Sequence, residues 1–205
     1  MVSIEFLLTS LVVVLIPGTG VLFTVATGLF QGKRASVFAA VGCTLGIIPS
    51  LLASVFGLAA IFHTSALAFQ IVKYVGAAYL LFLAWQIWRS STPLSVQEEQ
   101  TDNRLSGLVL KGFLLNILNP KLSIFFLAFL PQFIPAATDS ALLNMLTLGG
   151  VFMLMTLAVF LVYGFLSSVF SAFIVQSQRA SIVMQKAFSA SFAALGVKLA
   201  LTERV

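Results

Sequence analysis

The stretch Leu108–Pro131 reads LVLKGFLLNILNPKLSIFFLAFLP: 24 residues, two of them charged, with Asn119-Pro120 at the midpoint. As one continuous helix it would reach about 36 Å, enough to cross a hydrocarbon core of about 30 Å. It is not expected to be continuous. Proline lacks the backbone donor and clashes with the carbonyl one turn back, so the helix breaks at Pro120. Asn119 ahead of it has the form of an N-cap followed by proline at the first helical position. The stretch therefore predicts a spanning segment built of two half-helices, with the amide end of the second near mid-membrane.

The same device occurs toward the N-terminus. Apolar sequence over Ile4–Leu29 is interrupted by Pro17-Gly18-Thr19-Gly20, where proline breaks the ladder and glycine opens backbone conformations closed to other residues. Glu5 stands where a signal peptide would carry basic residues, so this segment is expected to be a retained helix. Between and beyond the two broken segments lie four more apolar runs, Val37–Phe62, Ala66–Ile87, Leu142–Phe173 and Ile182–Leu201. The fifth of the six is long enough to tilt or to continue past the membrane.

Composition agrees. Of 205 residues, 60% are hydrophobic and 8% charged, with a mean hydropathy of +1.10. A soluble domain carries about 25% charged residues, and a chain this poor in polar surface needs lipid as its solvent. The predicted fold class is thus an all-α membrane protein of six transmembrane helices. The expected arrangement is two inverted three-helix repeats, with helices one and four broken. One transmembrane domain covers 1–205: a first repeat over about 1–89, a polar cytoplasmic loop over about 90–106 and a second repeat over about 107–205. Three spans per repeat make the second run opposite to the first, and paired broken helices at matching positions point to a transporter's substrate site.

Charge sets the orientation. Lys33, Arg34, Arg89, Arg104, Lys111, Arg179 and Lys186 are expected on one side; Lys73, Lys198 and Arg204 on the other. The positive-inside rule then puts the central loop in the cytoplasm and both termini outside. The net charge of +5 is spread over loops, the longest basic run being Lys33-Arg34, which argues against a nucleic-acid partner.

Lys121 falls inside the fourth segment, where a cation costs about 2.5–3.5 kcal/mol on insertion scales and is expected to face a cavity or partner. No carboxylate lies deep in any predicted segment; Glu5 and Asp139 sit toward segment ends. A lysine beside a half-helix N-terminus suits a substrate carboxylate, while carbonyls freed by Pro17, with Thr19 nearby, suit an ammonium. The lack of deep acids argues against a cationic substrate and for a neutral one. Cys43 alone cannot build a disulfide, a redox pair or a thiolate metal site, and His63 is expected at an interface, so no metal and no cofactor are predicted. Gly28/Gly32 and Gly42/Gly46 have small-xxx-small spacing and are expected to pack helices together. Tyr79, Trp85 and Trp88 are expected to anchor the third helix at the membrane interface.

The run from Asn116 to Phe133, with Asn119-Pro120-Lys121 at its head and Leu130-Pro131-Gln132-Phe133 at its end, closely resembles the fourth-helix signature of the LysE/RhtB family of bacterial amino-acid exporters. Pro17-Gly18 is similar to that family's first-helix Pro-Gly-Pro, with Thr19 in place of the second proline. The resemblance spans nearly the whole chain. It implies an inner-membrane exporter of amino acids or close derivatives, not an enzyme, with the amino acid and the lipid bilayer as partners. Proton coupling and homo-oligomerisation remain open. By motif it carries over Pro17, Gly18, Asn119, Pro120 and Lys121; with Thr19 from the ammonium argument these form the expected substrate site. Threonine, homoserine and leucine are the expected substrate types. The competing readings are a small-solute or ion channel and a metal-ion exporter. The aquaporin-like channel would use Asn-Pro-Ala twice, and the metal exporter should show deep carboxylates, His or Cys.

Overall fold

A computed structural model describes residues 2–62, 66–89, 104–117, 119–134, 140–170 and 177–201. Ser3 opens the first helix, α1 (Ile4–Leu15), its hydroxyl accepting from the amide of Phe6 at 3.1 Å. The helix stops because Pro17 follows: Ile16 is forced to an extended conformation (φ −65°, ψ 117°), as a residue before proline is. Gly18, also extended, starts α2 (Thr19–Gln31), and the two helices meet at 58°.

Gly32 separates α2 from α3 (Lys33–Leu45) with a φ of +88°, the one positive φ among the described residues. At Gly46 α3 passes into α4 (Ile47–Phe62), where Pro49 removes the donor that Leu45 would otherwise meet. Next come α5 (Ala66–Arg89), α6 (Leu105–Ile117) and α7 (Pro120–Phe129), the last continued by a 3-10 turn over Leu130–Phe133. Asn119 caps α7 as expected, its side-chain oxygen accepting from the Lys121 amide at 3.1 Å, and Pro120 takes the first helical position. The bend from α6 to α7 is again 58°. The chain closes with α8 (Ala141–Phe165), the short α9 (Ser167–Phe170) and α10 (Gln178–Leu201).

Among the described residues the fold is all-helical. Lys33–Gly57 and Ala141–Phe165 are each long and apolar enough to cross a membrane, and each bent pair adds one more if it is counted as a single span. The third and sixth expected segments are α5 and α10, of 24 residues each, which lie chiefly along one another. Large apolar side chains remain exposed on the outside, among them Ile4, Phe56, Val75, Leu154 and Val183. Lipid solvates such a surface; water does not.

α3 lies closest on α6. A Cβ built on Gly112 would stand 2.8 Å from the amide nitrogen of Cys43 and 2.9 Å from the carbonyl of Ala39, so the two backbones touch. Gly42 and Gly46 face α6 in the same way, as their spacing predicts. Gly28 meets the backbone of Gly164, but Gly32 packs nothing: it is the turn between α2 and α3, and its expected packing role is corrected. Phe125, Phe126, Phe129 and Phe152 fill the core between α7 and α8, with ring centroids 5.0–5.7 Å apart.

Several expected boundaries shift. The second segment starts at Lys33, so Lys33 and Arg34 lie exposed in the first turn of a helix and do not sit in a loop. The fifth breaks at Leu166 and resumes only as α9. The sixth starts at Gln178, which brings Arg179 into α10 with Lys186, and Lys73 is buried on α5 beside the Tyr74 ring. Trp85 and Trp88 are exposed near the end of α5, with Arg89 and Lys186 over their rings at 5.0 and 5.4 Å. His63, Asp139 and most of the central loop fall outside the described residues. Glu5 at the start of α1 lies 3.9 Å from Lys198 near the end of α10, so those two helix ends lie together.

Candidate functional site

Ending α1 at a proline leaves its last carbonyls without helical partners. Ile16 N–H closes the ladder on Val12, and the oxygens of Val13, Val14, Leu15 and Ile16 remain. Val13 would ordinarily meet the amide four residues on, which is Pro17. Side chains from the other broken helix and from α8 satisfy three of the four. Lys121 Nζ donates to Val13 O at 2.9 Å and to Ile16 O at 3.2 Å, and Tyr163 Oη donates to Leu15 O at 2.9 Å.

This answers how a cation is held there without an acid. Among the described residues Glu5 is the one acidic side chain; it is exposed and beside Lys198. Lys121 belongs to the first turn of α7, the positive end of that helix and the wrong place for a cation. Its long stem carries the ammonium across to the C-terminal, negative end of α1, where the dipole and two carbonyls favour it. The Phe192 ring lies 5.9 Å from the same nitrogen.

A cleft of about 340 Å³, its open mouth included, lies between the two breaks. Gly18, Asn116, Asn119, Lys121 and Thr156 supply its polar lining, with Phe152 and Phe160 among its apolar walls. Asn116 is buried; its amide donates to Cys43 O at 2.7 Å, and its oxygen lies 3.5 Å from the amide of Asn119. Gly20 allows the close approach here: a Cβ at that position would stand 3.0 Å from the Phe160 ring and 3.1 Å from the Asn116 oxygen.

Of the six expected site residues, Gly18, Asn119 and Lys121 line the cleft. Pro120 starts the helix that presents two of them, and Pro17 creates the carbonyls that Lys121 meets. Thr19 is exposed at the first position of α2. Sequence reasoning passed over Asn116, Thr156 and Tyr163. Asn116 carried a readable signal, an amide one turn ahead of the Asn119 cap in an apolar helix; Thr156 and Tyr163 carried none. Cys43 is buried and free, its Sγ 3.8 Å from Gly20 O, as an inert thiol would be.

The site thus sets carbonyl acceptors of one broken helix against the amide end and ammonium of the other.

The LysE type translocator family matches residues 11–203. A homoserine/homoserine lactone efflux protein of Salmonella typhimurium is 32% identical over 196 residues, covering 95% of this chain and 94% of its own. A membrane protein of Vibrio cholerae is 36% identical over 138 residues, 67% of each chain, and one of Pseudomonas aeruginosa is 32% identical over 196 residues, 92% of this chain and 89% of its own. No solved structure matches significantly. A chain built around two broken helices, matched along nearly its whole length by this family and by an efflux protein, belongs to the LysE type translocators.

Proposed function

We propose that this protein exports neutral amino acids or close derivatives, of the threonine, homoserine or leucine type, across the bacterial inner membrane by alternating access around the cleft. One observation carries the reading: the Lys121 ammonium lies on the Val13 and Ile16 carbonyls, bringing cation, helix amides and orphan carbonyls of the two broken helices together. A free amino acid has one charge for each set. The efflux relative is named for homoserine and its lactone, which share a primary ammonium and differ in the free carboxylate. The scarcity of acidic groups among the described residues speaks against a cationic substrate such as lysine.

The packing supports two inverted repeats of three spans, broken at helices one and four. The first half of each broken helix lies on the second span of the opposite repeat, α6 on α3 and α1 on α8. Of the second halves, α7 lies on α4 of the opposite repeat, while α2 lies on α3 of its own repeat as well as on α8 and α9. Rocking one repeat against the other would then open the cleft to either side in turn. The distribution of basic residues supports a cytoplasmic central loop with both termini outside.

The test is efflux. Overexpressing cells and proteoliposomes preloaded with a panel of labelled amino acids should lose neutral ones faster than controls, with saturable kinetics. If none of the panel leaves faster, the exporter reading fails; non-saturable flux would favour a channel.

A further inference from the structure

We infer that the corner of α5 and α10 formed by Trp85, Trp88, Arg89 and Lys186 binds the headgroup of an anionic phospholipid, with its acyl chains along the exposed face of α5. The ligand is a component of the bilayer, and none of the four residues lines the substrate cleft.

The two helices run antiparallel. Ser189 of α10 donates to the Ala84 carbonyl of α5, and a Cβ on Gly196 would stand 3.2 Å from the Ala77 carbonyl oxygen. The end of α5 therefore lies beside the beginning of α10. Arg89 closes α5, and its guanidinium stands 5.0 Å from the centre of the Trp85 ring. Lys186 reaches over from α10, its ammonium 5.4 Å from the centre of the Trp88 ring. All four side chains are exposed. Stacking on an indole holds a cation by one face and leaves its N–H groups for an anion. The planar fork of a guanidinium fits two oxygens of a phosphate.

Charge and face then select the ligand. Among the described residues the one acidic side chain is Glu5, which lies beside Lys198 at the other end of α10. Arg179, exposed in the first turn of α10, adds a cation at the positive end of a helix, where an anion is favoured. Away from Arg89 the face of α5 changes character in the order that a phospholipid does. Positions 89, 85, 82, 78 and 75 follow the helical repeat and are all exposed. Trp85 and Phe82, with ring centroids 6.3 Å apart, come next to the cation, and Ala78 and Val75 follow. The cation suits the phosphate, the indole suits the interface, and the aliphatic end suits an acyl chain. Free phosphate would use the first of these alone, so the occupant is a lipid. A zwitterionic phospholipid would bring its own cation up to those of the corner, and a net anionic one does not.

Trp85 and Trp88 are the chain's two tryptophans, so all indole emission reports from this corner. The test reconstitutes the full chain in mixed bilayers of phosphatidylglycerol and phosphatidylcholine, one of which carries brominated acyl chains that quench indole on contact. Phosphatidylglycerol should be preferred at the tryptophans by at least about fivefold, the usual contribution of one basic side chain at an anionic surface. Arg89→Gln combined with Lys186→Gln should bring the two lipids near parity. Lys198→Gln removes the same charge from the other end of α10 and should leave the preference intact. Equal quenching by the two lipids in the wild type overturns the proposal; if the preference then appears in Glu98→Gln/Glu99→Gln/Asp102→Asn, the acids of the central loop are what neutralise the corner. A preference that survives the double glutamine variant, or that Lys198→Gln lowers as much, overturns it too. Displacement of the lipid by glycerol phosphate added in water would make the corner a site for free anions and not for lipid.

Discussion

The ammonium of Lys121 donates at 2.9 Å to the carbonyl oxygen of Val13, the carbonyl whose helical partner would have been the nitrogen of Pro17. The residues are 108 positions apart, yet each resolves the other's difficulty. Proline leaves an acceptor without a donor inside an apolar protein, and the lysine puts a charge in the same region. Pairing a cation with the negative end of a half-helix removes both costs without an acidic side chain.

Lys121→Ala should therefore do two things. Efflux of free neutral amino acids should be lost, because the carboxylate partner is gone, while membrane insertion persists. The stranded carbonyls should also lower stability by about 1–3 kcal/mol, the usual cost of an unmet buried acceptor. Efflux from loaded proteoliposomes and thermal unfolding in detergent report the two effects separately; normal efflux would make the lysine incidental.

Asn116 and Asn119 should separate by role. Asn119→Ala removes the cap of α7, worth about 1 kcal/mol, and should raise the substrate concentration for half-maximal efflux several-fold. Asn116→Ala removes the bond to Cys43 O that ties α6 to α3, and should mainly lower stability, by about 1–3 kcal/mol. Equal effects of both variants on efflux and on unfolding would contradict this division.

The glycines offer a contrast between contact and open space. Gly112→Ala drives a methyl group against the α3 backbone and should destabilise by about 1–3 kcal/mol. Gly57→Ala and Gly150→Ala meet nothing within 4 Å and sit in helices, so each should stabilise by about 0.5–1 kcal/mol. Unfolding temperatures of the three variants should fall on opposite sides of the wild type.

Orientation can be read with a single thiol. In a Cys43→Ala background, Ser95→Cys places a reactive group in the central loop, which should be labelled only by reagents that reach the cytoplasm. Labelling of intact cells by an impermeant maleimide would reverse the topology.

What the sequence by itself determined are the features that act over one or two turns of backbone. Pro17 and Pro120 break their helices because each lacks its own N–H, Asn119 caps because its side chain reaches an amide two residues on, and apolar runs must be helical where no water can satisfy the backbone. The tertiary structure decided everything that depends on which helix lies opposite. Gly28 and Gly32 share one spacing, but the first packs on Gly164 and the second turns the chain, since only the neighbouring helix distinguishes them. Asn116 finds Cys43 O across 73 residues and Tyr163 finds Leu15 O across 148. Lys121 was legible as a cation in need of a partner. That its partner is the unfinished end of α1 follows from the packing of one broken helix against the other, which no spacing within either segment encodes.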